Sequence, residues 1–230
     1  MNFFYYLFGS LLLNYPAPDF YNTKAIEYRN KIAVIDTGIE VNEKTKKYLC
    51  YGKHYDITGK GIEDWHGHGT NIAGIIAKQI DTNQFCLLII KYYHFSGSAE
   101  TEVKGLKIAL KEKATHVNFS SGGDRTDFLE KQIIEKLLKH KIYFITASGN
   151  WNTKLEKGNC NYYPSCYNFQ SQYFRVIGNG VSEDKKHKFS NYGPVVTDWR
   201  DGKDVEGFGI IMSGSSQSAA IMTRELVGKK

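Results

Sequence analysis

Four polar residues of this chain have the types and settings that chemistry requires. Ser216 lies in Gly214-Ser-Ser-Gln-Ser-Ala-Ala220, a run of small residues that follows Ile210-Ile-Met212 and leads into Ile221-Met222. Small residues at a helix start let substrate come close, and exposed amides and the positive dipole end gather there. Taken alone, the run reads as a serine-rich N-cap sooner than as a nucleophile. His68 stands between Gly67 and Gly69, just before Ile72, Ile75 and Ile76 begin a helical apolar face. Asp36 closes the apolar run Lys31-Ile-Ala-Val-Ile35, and Asn150 follows Ala147-Ser-Gly149. Acyl transfer to a serine needs a base, an acid that orients the base, and donors for an oxyanion. His68, Asp36, the Asn150 side chain and the Ser216 N–H are of those types. Plainer roles stay open: a strand-end aspartate also forms turns. His66 and His68 would suit a metal, but no third ligand stands near them.

The elements that must position these residues alternate. Lys31 to Ile39 is a buried strand with its turn, and Cys86 to Lys91 is another. Ala99 to Lys113 is an amphipathic helix whose buried side carries Val103, Leu106, Ile108, Ala109 and Leu110. Thr115 to Ser120 is a strand, and Phe128 to His140 a helix buried through Leu129, Ile133, Ile134, Leu137 and Leu138. Lys141 to Ala147 and Tyr173 to Val181 are strands, with a loop-like stretch from Trp151 to Gln172 between them. This order predicts an α/β fold with a parallel sheet covered on both faces. Open sheets of this kind place their sites at the carboxyl ends of strands, where Asp36 sits.

At 230 residues the chain suits one domain with a substantial core. The net charge of +6 is spread, with lysines interleaved among acids, so nothing resembles a nucleic-acid-binding stripe. The four cysteines form no C-x-x-C pair, which argues against a zinc ribbon or a dithiol redox motif. Cys160 and Cys166 flank a short loop and would bridge in an oxidising compartment; two free thiols is the alternative. Cys86 opens an apolar strand and reads as plain core. Residues 3–13 are apolar, too short for a comfortable membrane span, and lack a basic residue before them. They divide the chain into a segment 1–30, for export or membrane association or packed on the domain, and a domain 31–230. The location expected is secreted or membrane-associated, with the cytoplasm as alternative.

Five blocks resemble those of the subtilisin-like serine proteases, the subtilases, and they come in that family's order. Ala33-Val-Ile-Asp-Thr-Gly38 is similar to its aspartate block, and Gly67-His-Gly-Thr70 with Ile72-Ala-Gly74 to its histidine block. Asn118-Phe-Ser-Ser-Gly-Gly123 resembles its cleft strand, Ala147-Ser-Gly-Asn150 its oxyanion block, and Gly214-Ser-Ser-Gln-Ser-Ala219 its serine block. The resemblance implies a three-layer α/β/α fold around a central, mostly parallel sheet, and serine endopeptidase activity on protein or peptide substrates. By similarity, Ser216 is the nucleophile, His68 the base and Asp36 its orienting acid, with Asn150 and the Ser216 N–H as the oxyanion hole. It further implies that substrate backbone pairs with Ser120, Ser121 and Gly122 as an added strand. The side chain before the scissile bond would enter a pocket between that segment and Ala147, Ser148 and Gly149. By the same resemblance Tyr162 would stand near its base, and its bulk predicts a shallow pocket suited to small or medium side chains.

No cofactor is needed for this chemistry. The family often binds structural calcium; Asp56, Asp64 and Asp81 are available carboxylates, but no ligand loop is legible and no site is assigned. The chain departs from the family's pattern at three places near the site. Asn71 stands where many relatives carry a second histidine, Gln217 where methionine is usual, and Ala220 where a proline opens the helix. These departures motivate the alternative, a catalytically inactive relative that binds extended peptides. A nucleotide-binding module has little support, because no glycine-rich phosphate loop follows the first strand. The oligomeric state is not legible.

Overall fold

The computed structural model describes residues 30–52, 54–94, 97–156 and 158–228. The N-terminal apolar run at 3–13 lies outside the described residues. Among those described, no helix is long and apolar enough to cross a membrane.

Seven strands form one parallel sheet. They are β1 (Asn30–Asp36), β2 (Tyr55–Asp56), β3 (Phe85–Lys91), β4 (His116–Phe119), β5 (Tyr143–Ala147), β6 (Phe174–Asn179) and β7 (Asp198–Arg200). Their order is β2-β3-β1-β4-β5-β6-β7, every pair parallel. A two-stranded antiparallel hairpin, β8 (Val205–Gly207) and β9 (Ile210–Met212), stands apart from it. The helices are α1 (Glu43–Lys46), α2 (His68–Ala77), α3 (Ala99–Lys111), α4 (Phe128–Lys139) and α5 (Ser215–Gly228).

Strand periodicity explains the layers. Successive side chains of β1 point to opposite faces, so Ile32 and Val34 pack with Ile72, Ile75, Ile76 and Ala220 from α2 and α5. Ala33 and Ile35 pack on the other face with Leu106 and Ala109 of α3 and Ile133, Ile134 and Leu137 of α4. Both faces are therefore dry, which is why the central strands read as unbroken apolar runs. The result is the three-layer α/β/α arrangement expected from the sequence.

Two expectations need correction. Cys86 is not plain core but is bonded to Cys50 (S–S 2.05 Å). Residues 48–50 run along the edge of β3, where Leu87 N–H donates to Tyr48 O at 2.8 Å and Cys50 N–H to Leu87 O at 3.0 Å. That edge contact brings the two cysteines together. Leu129 does not face the core; it is half exposed, and Glu130 takes the inward position beside Ile133, Ile134 and Leu137. The Tyr167 hydroxyl, donating to Glu130 Oε2 at 2.6 Å, makes that burial tolerable. Cys160 and Cys166 are bridged.

Candidate active site

Asp36 ends β1 and is buried. Its Oδ1 accepts the Thr37 N–H at 2.7 Å and faces His68 Nδ1 at 2.7 Å. A carboxylate only accepts, so Nδ1 carries the proton and a neutral ring keeps its lone pair on Nε2. Burial pulls the His68 pKa down, but the charge and hydrogen bond of Asp36, with help from Asp64, outweigh it and hold the pKa above the usual value. His54 and His116 go the other way, both lowered to about 4 chiefly by burial.

Backbone contact puts His68 there. A Cβ on Gly69 would lie 2.3 Å from Gly38 O, and one on Gly38 would lie 2.3 Å from Ile62 O. The turn after β1 and the first turn of α2 therefore interlock with no room for side chains. Gly67 enters the helix at φ 86°, a left-handed conformation costly for other residues. Asp64 completes the joint. Its Oδ1 accepts from Thr37 Oγ1 (2.9 Å), His66 N–H (3.0 Å) and Gly67 N–H (2.9 Å). Its Oδ2 accepts from Thr70 N–H (2.8 Å) and Thr70 Oγ1 (2.7 Å). Burial opposes the charge on Asp64, yet these bonds, those from Thr70 foremost, keep its pKa below the usual value. It caps the His68 helix through the Gly67 and Thr70 amides. Among the described residues no group of three His, Cys, Asp or Glu is disposed to hold a metal.

Ser216 is the second residue of α5, so its N–H has no intrahelical partner to reach. The N–H of Ser215, one residue before, donates to Asn150 Oδ1 at 2.9 Å, and the Gly149 N–H donates to Ser215 Oγ at 3.1 Å. This clamp fixes the Asn150 amide by its oxygen. Its Nδ2 has no partner among the described residues, and the residue is exposed. The Asn150 side chain is thereby tied to the residue that immediately precedes Ser216. The Ser216 hydroxyl donates to Ser120 O at 3.1 Å rather than to His68, and the Ser120 hydroxyl returns a bond to Ser216 O at 3.3 Å.

The segments expected to form the cleft also converge. Ser120 follows β4, and a Cβ on Gly122 would lie 2.6 Å from Tyr162 Cζ. Gly149 follows β5, and a Cβ there would lie 3.1 Å from the same ring. The Tyr162 ring is thus sandwiched between the segments Ser120–Gly122 and Ala147–Gly149, buried, with Trp151 edge-on at 5.3 Å. Ser148 and Gly149 are held from behind by Asn191, which the sequence reading did not single out. Its Nδ2 donates to Ser148 O at 2.8 Å, and its Oδ1 accepts from Trp151 N–H (3.0 Å) and Thr153 N–H (2.9 Å). Only its place in Phe189-Ser-Asn-Tyr-Gly, a turn-bearing stretch, hinted at it.

Residues 29–227 match the family model described as Peptidase_S8: Subtilase family. The intracellular serine protease of Paenibacillus polymyxa is 27% identical over 191 residues, 76% of this chain and 57% of that protein. The major intracellular serine protease of Bacillus subtilis (strain 168) is 30% identical over 169 residues, 66% and 52% of the two chains. The chain thus spans a little over half the length of these relatives. Among solved structures, a cold-adapted subtilisin-like serine proteinase superposes with a TM-score of 0.69 at 22% identity, over 92% of this chain and 78% of that one. At that identity the likeness speaks for the fold.

Proposed function

The chain belongs to the subtilase family, and from that premise we propose that it is a serine endopeptidase working through an acyl-enzyme intermediate. Ser216 Oγ attacks the scissile carbonyl while His68 Nε2 takes its proton. The same proton then passes from His68 to the leaving amine, and water repeats the sequence to free the acid product. Asp36 holds the ring in the tautomer that leaves Nε2 basic and stabilises the imidazolium. Asn150 Nδ2 and the Ser216 N–H receive the oxyanion. The substrate strand lies along Ser120–Gly122, with its side chain over the Tyr162 ring.

The observation that carries this reading is the 2.7 Å contact between His68 Nδ1 and a buried Asp36. The clamp that turns the Asn150 amide nitrogen outward adds support. Catalysis requires the Ser216 hydroxyl to turn from Ser120 O to His68 Nε2, a rotation between staggered wells, and such bonds often form only with substrate bound. That same bond to Ser120 O favours a second reading, a silent relative that binds extended peptides along the same edge.

We place the peptidase domain at 31–230, after the apolar segment 1–30. Two disulfides support a secreted or membrane-associated location; the cytoplasm is the alternative, since two relatives are named as intracellular. Labelling with a fluorophosphonate probe tests the enzyme reading. The protein is expected to label at Ser216, and Ser216→Ala to lose both label and peptide hydrolysis. A folded protein that binds peptides but takes no label would instead establish the second reading.

A further inference from the structure

Two of the residues that depart from the family's pattern near the site touch each other. Gln217 Nε2 donates to Asn71 Oδ1 at 2.9 Å, and both residues are buried. Asn71 lies three residues beyond His68 on α2, and Gln217 lies next to Ser216 on α5. Asn71 Nδ2 in turn donates to Ile210 O at 2.7 Å and to Val205 O at 3.0 Å, across both strands of the hairpin. The direction of this relay is forced. The two hairpin carbonyls accept only, so the Asn71 nitrogen must face them and its oxygen must face Gln217. Gln217 therefore turns its nitrogen to Asn71 and its Oε1 toward Gly214. There Oε1 lies 3.1 Å, and Asn150 Nδ2 3.2 Å, from the point a Gly214 Cβ would occupy. The hairpin itself has no play against α2, since a Cβ on Gly207 would lie 2.0 Å from Asn71 O and one on Gly74 2.3 Å from Phe208 N.

We propose that Asn71 and Gln217 are positioning residues that set the separation of the His68 and Ser216 helices; this rests on the serine protease reading. Apolar side chains between two helices tolerate a small slide. A buried amide pair is satisfied in one register, and a slide leaves polar groups unpaired in a dry place. The pair thus fixes the register in which His68 Nε2 meets the Ser216 hydroxyl.

The test is a double-mutant cycle on the full chain, using the histidine and methionine that the family's pattern carries at these two positions. Asn71→His and Gln217→Met singly should each lower kcat about tenfold with KM within about twofold, and the double variant should return to within about threefold of the parent. The Nδ1 proton resonance of His68, which reports its bond to Asp36 with or without turnover, should shift in the single variants and return in the double. Unchanged kcat, or losses that simply multiply in the double, would overturn the proposal and leave a structural contact. Should Gln217→Met not fold, Gln217→Glu decides. Its protonated carboxyl donates to Asn71 Oδ1 at low pH and its carboxylate cannot, so kcat should gain a falling limb as pH rises; a parental profile overturns the proposal. A parent protein that neither labels at Ser216 nor hydrolyses peptide sinks the protease reading alone. The pair is then judged on the His68 resonance, and an unmoved resonance in the single variants overturns it.

Discussion

Replacing His116 by phenylalanine should remove a measurable part of the protein's acid sensitivity. His116 is buried at the start of β4, stacked on Tyr143 with centroids 5.2 Å apart and 9° between planes, with Phe85 against its edge. Thr115 Oγ1 lies 3.0 Å from its Nδ1. Burial lowers its pKa from 6.5 to about 4. As pH falls below 6.5 the unfolded chain takes up a proton there that the folded chain refuses, so stability present at neutral pH is lost on acidification. The gap of about 2.5 units corresponds to about 3 kcal/mol once pH is below both values, and to about 2 kcal/mol between pH 8 and pH 5. Phenylalanine keeps the stacked ring and has nothing to protonate. Urea unfolding at a series of pH values from 8 to 5 reads the effect. The parent should lose about 2 kcal/mol relative to His116→Phe over that range, roughly 1 M in urea midpoint at about 2 kcal/mol per molar. His54, lowered likewise, is common to both proteins and cancels. His68 has the opposite sign, its contribution full below 6.5 and lost as pH rises through its raised folded value, and it cancels too. Stability lines that run parallel across the range would refute the assignment of His116 as a neutral core residue.

Asp36→Asn should shift the acid limb of kcat/KM to lower pH, because the charge that raises the His68 pKa is gone, and lower kcat by roughly 10⁴; an unmoved limb would mean that His68 is not the base. Tyr162→Ala removes the ring between Gly122 and Gly149 and should move preference in a peptide library from small or medium toward aromatic side chains before the scissile bond. A parent that already prefers aromatics there would contradict the shallow pocket. Asn191→Ala strips partners from Trp151 N–H, Thr153 N–H and Ser148 O, worth about 3 kcal/mol or more, so the midpoint of thermal unfolding should fall by roughly 6–12 °C. Labelling of Ser216 should slow in parallel as Asn150 loosens; a normal labelling rate at low temperature would show that Asn191 supports the fold and not the site.

What was legible in the sequence is what backbone contact demands. Gly38 and Gly69 sit in their motifs because a Cβ on either would run into a carbonyl oxygen, and such positions admit one residue type. The five inner strands were legible for a similar reason, since burial on both faces forces continuous apolar runs; the edge strands β2 and β7, two and three residues long and only partly buried, carry no such run and were not. Pairings between distant segments were not. Cys50 lies in a polar stretch, and nothing local shows that residues 48–50 border β3 and bring it to Cys86. Leu129 fitted the helical period as well as Glu130 did, and the Tyr167 hydroxyl that favours Glu130 is 37 residues away in the chain. Asn71 and Gln217 were each visible as departures, but their compensation for one another exists only in three dimensions. Asp64 looked like an idle acid because the donors it serves are mostly backbone amides, which the sequence does not display.

The proposed site has one stiff member and one compliant joint. Asp36 ends β1, and Ser120 and Asn150 come just after β4 and β5; the three strands are neighbours in the sheet. Their spacing is ruled by the hydrogen-bond ladder at about 4.8 Å per strand. His68 and Ser216 ride on α2 and α5, which rest on that sheet through Ile72, Ile75, Ile76, Ala219, Ala220 and Met222. Acid and base, like nucleophile and the Asn150 donor, therefore belong to different layers, and packing and a handful of hydrogen bonds keep the layers aligned. Warming softens packing before it breaks a ladder, so catalytic alignment would be lost while the sheet is still whole. The working temperature of such a molecule is set along the underside of two helices, and it could be retuned there without altering any residue that meets the substrate.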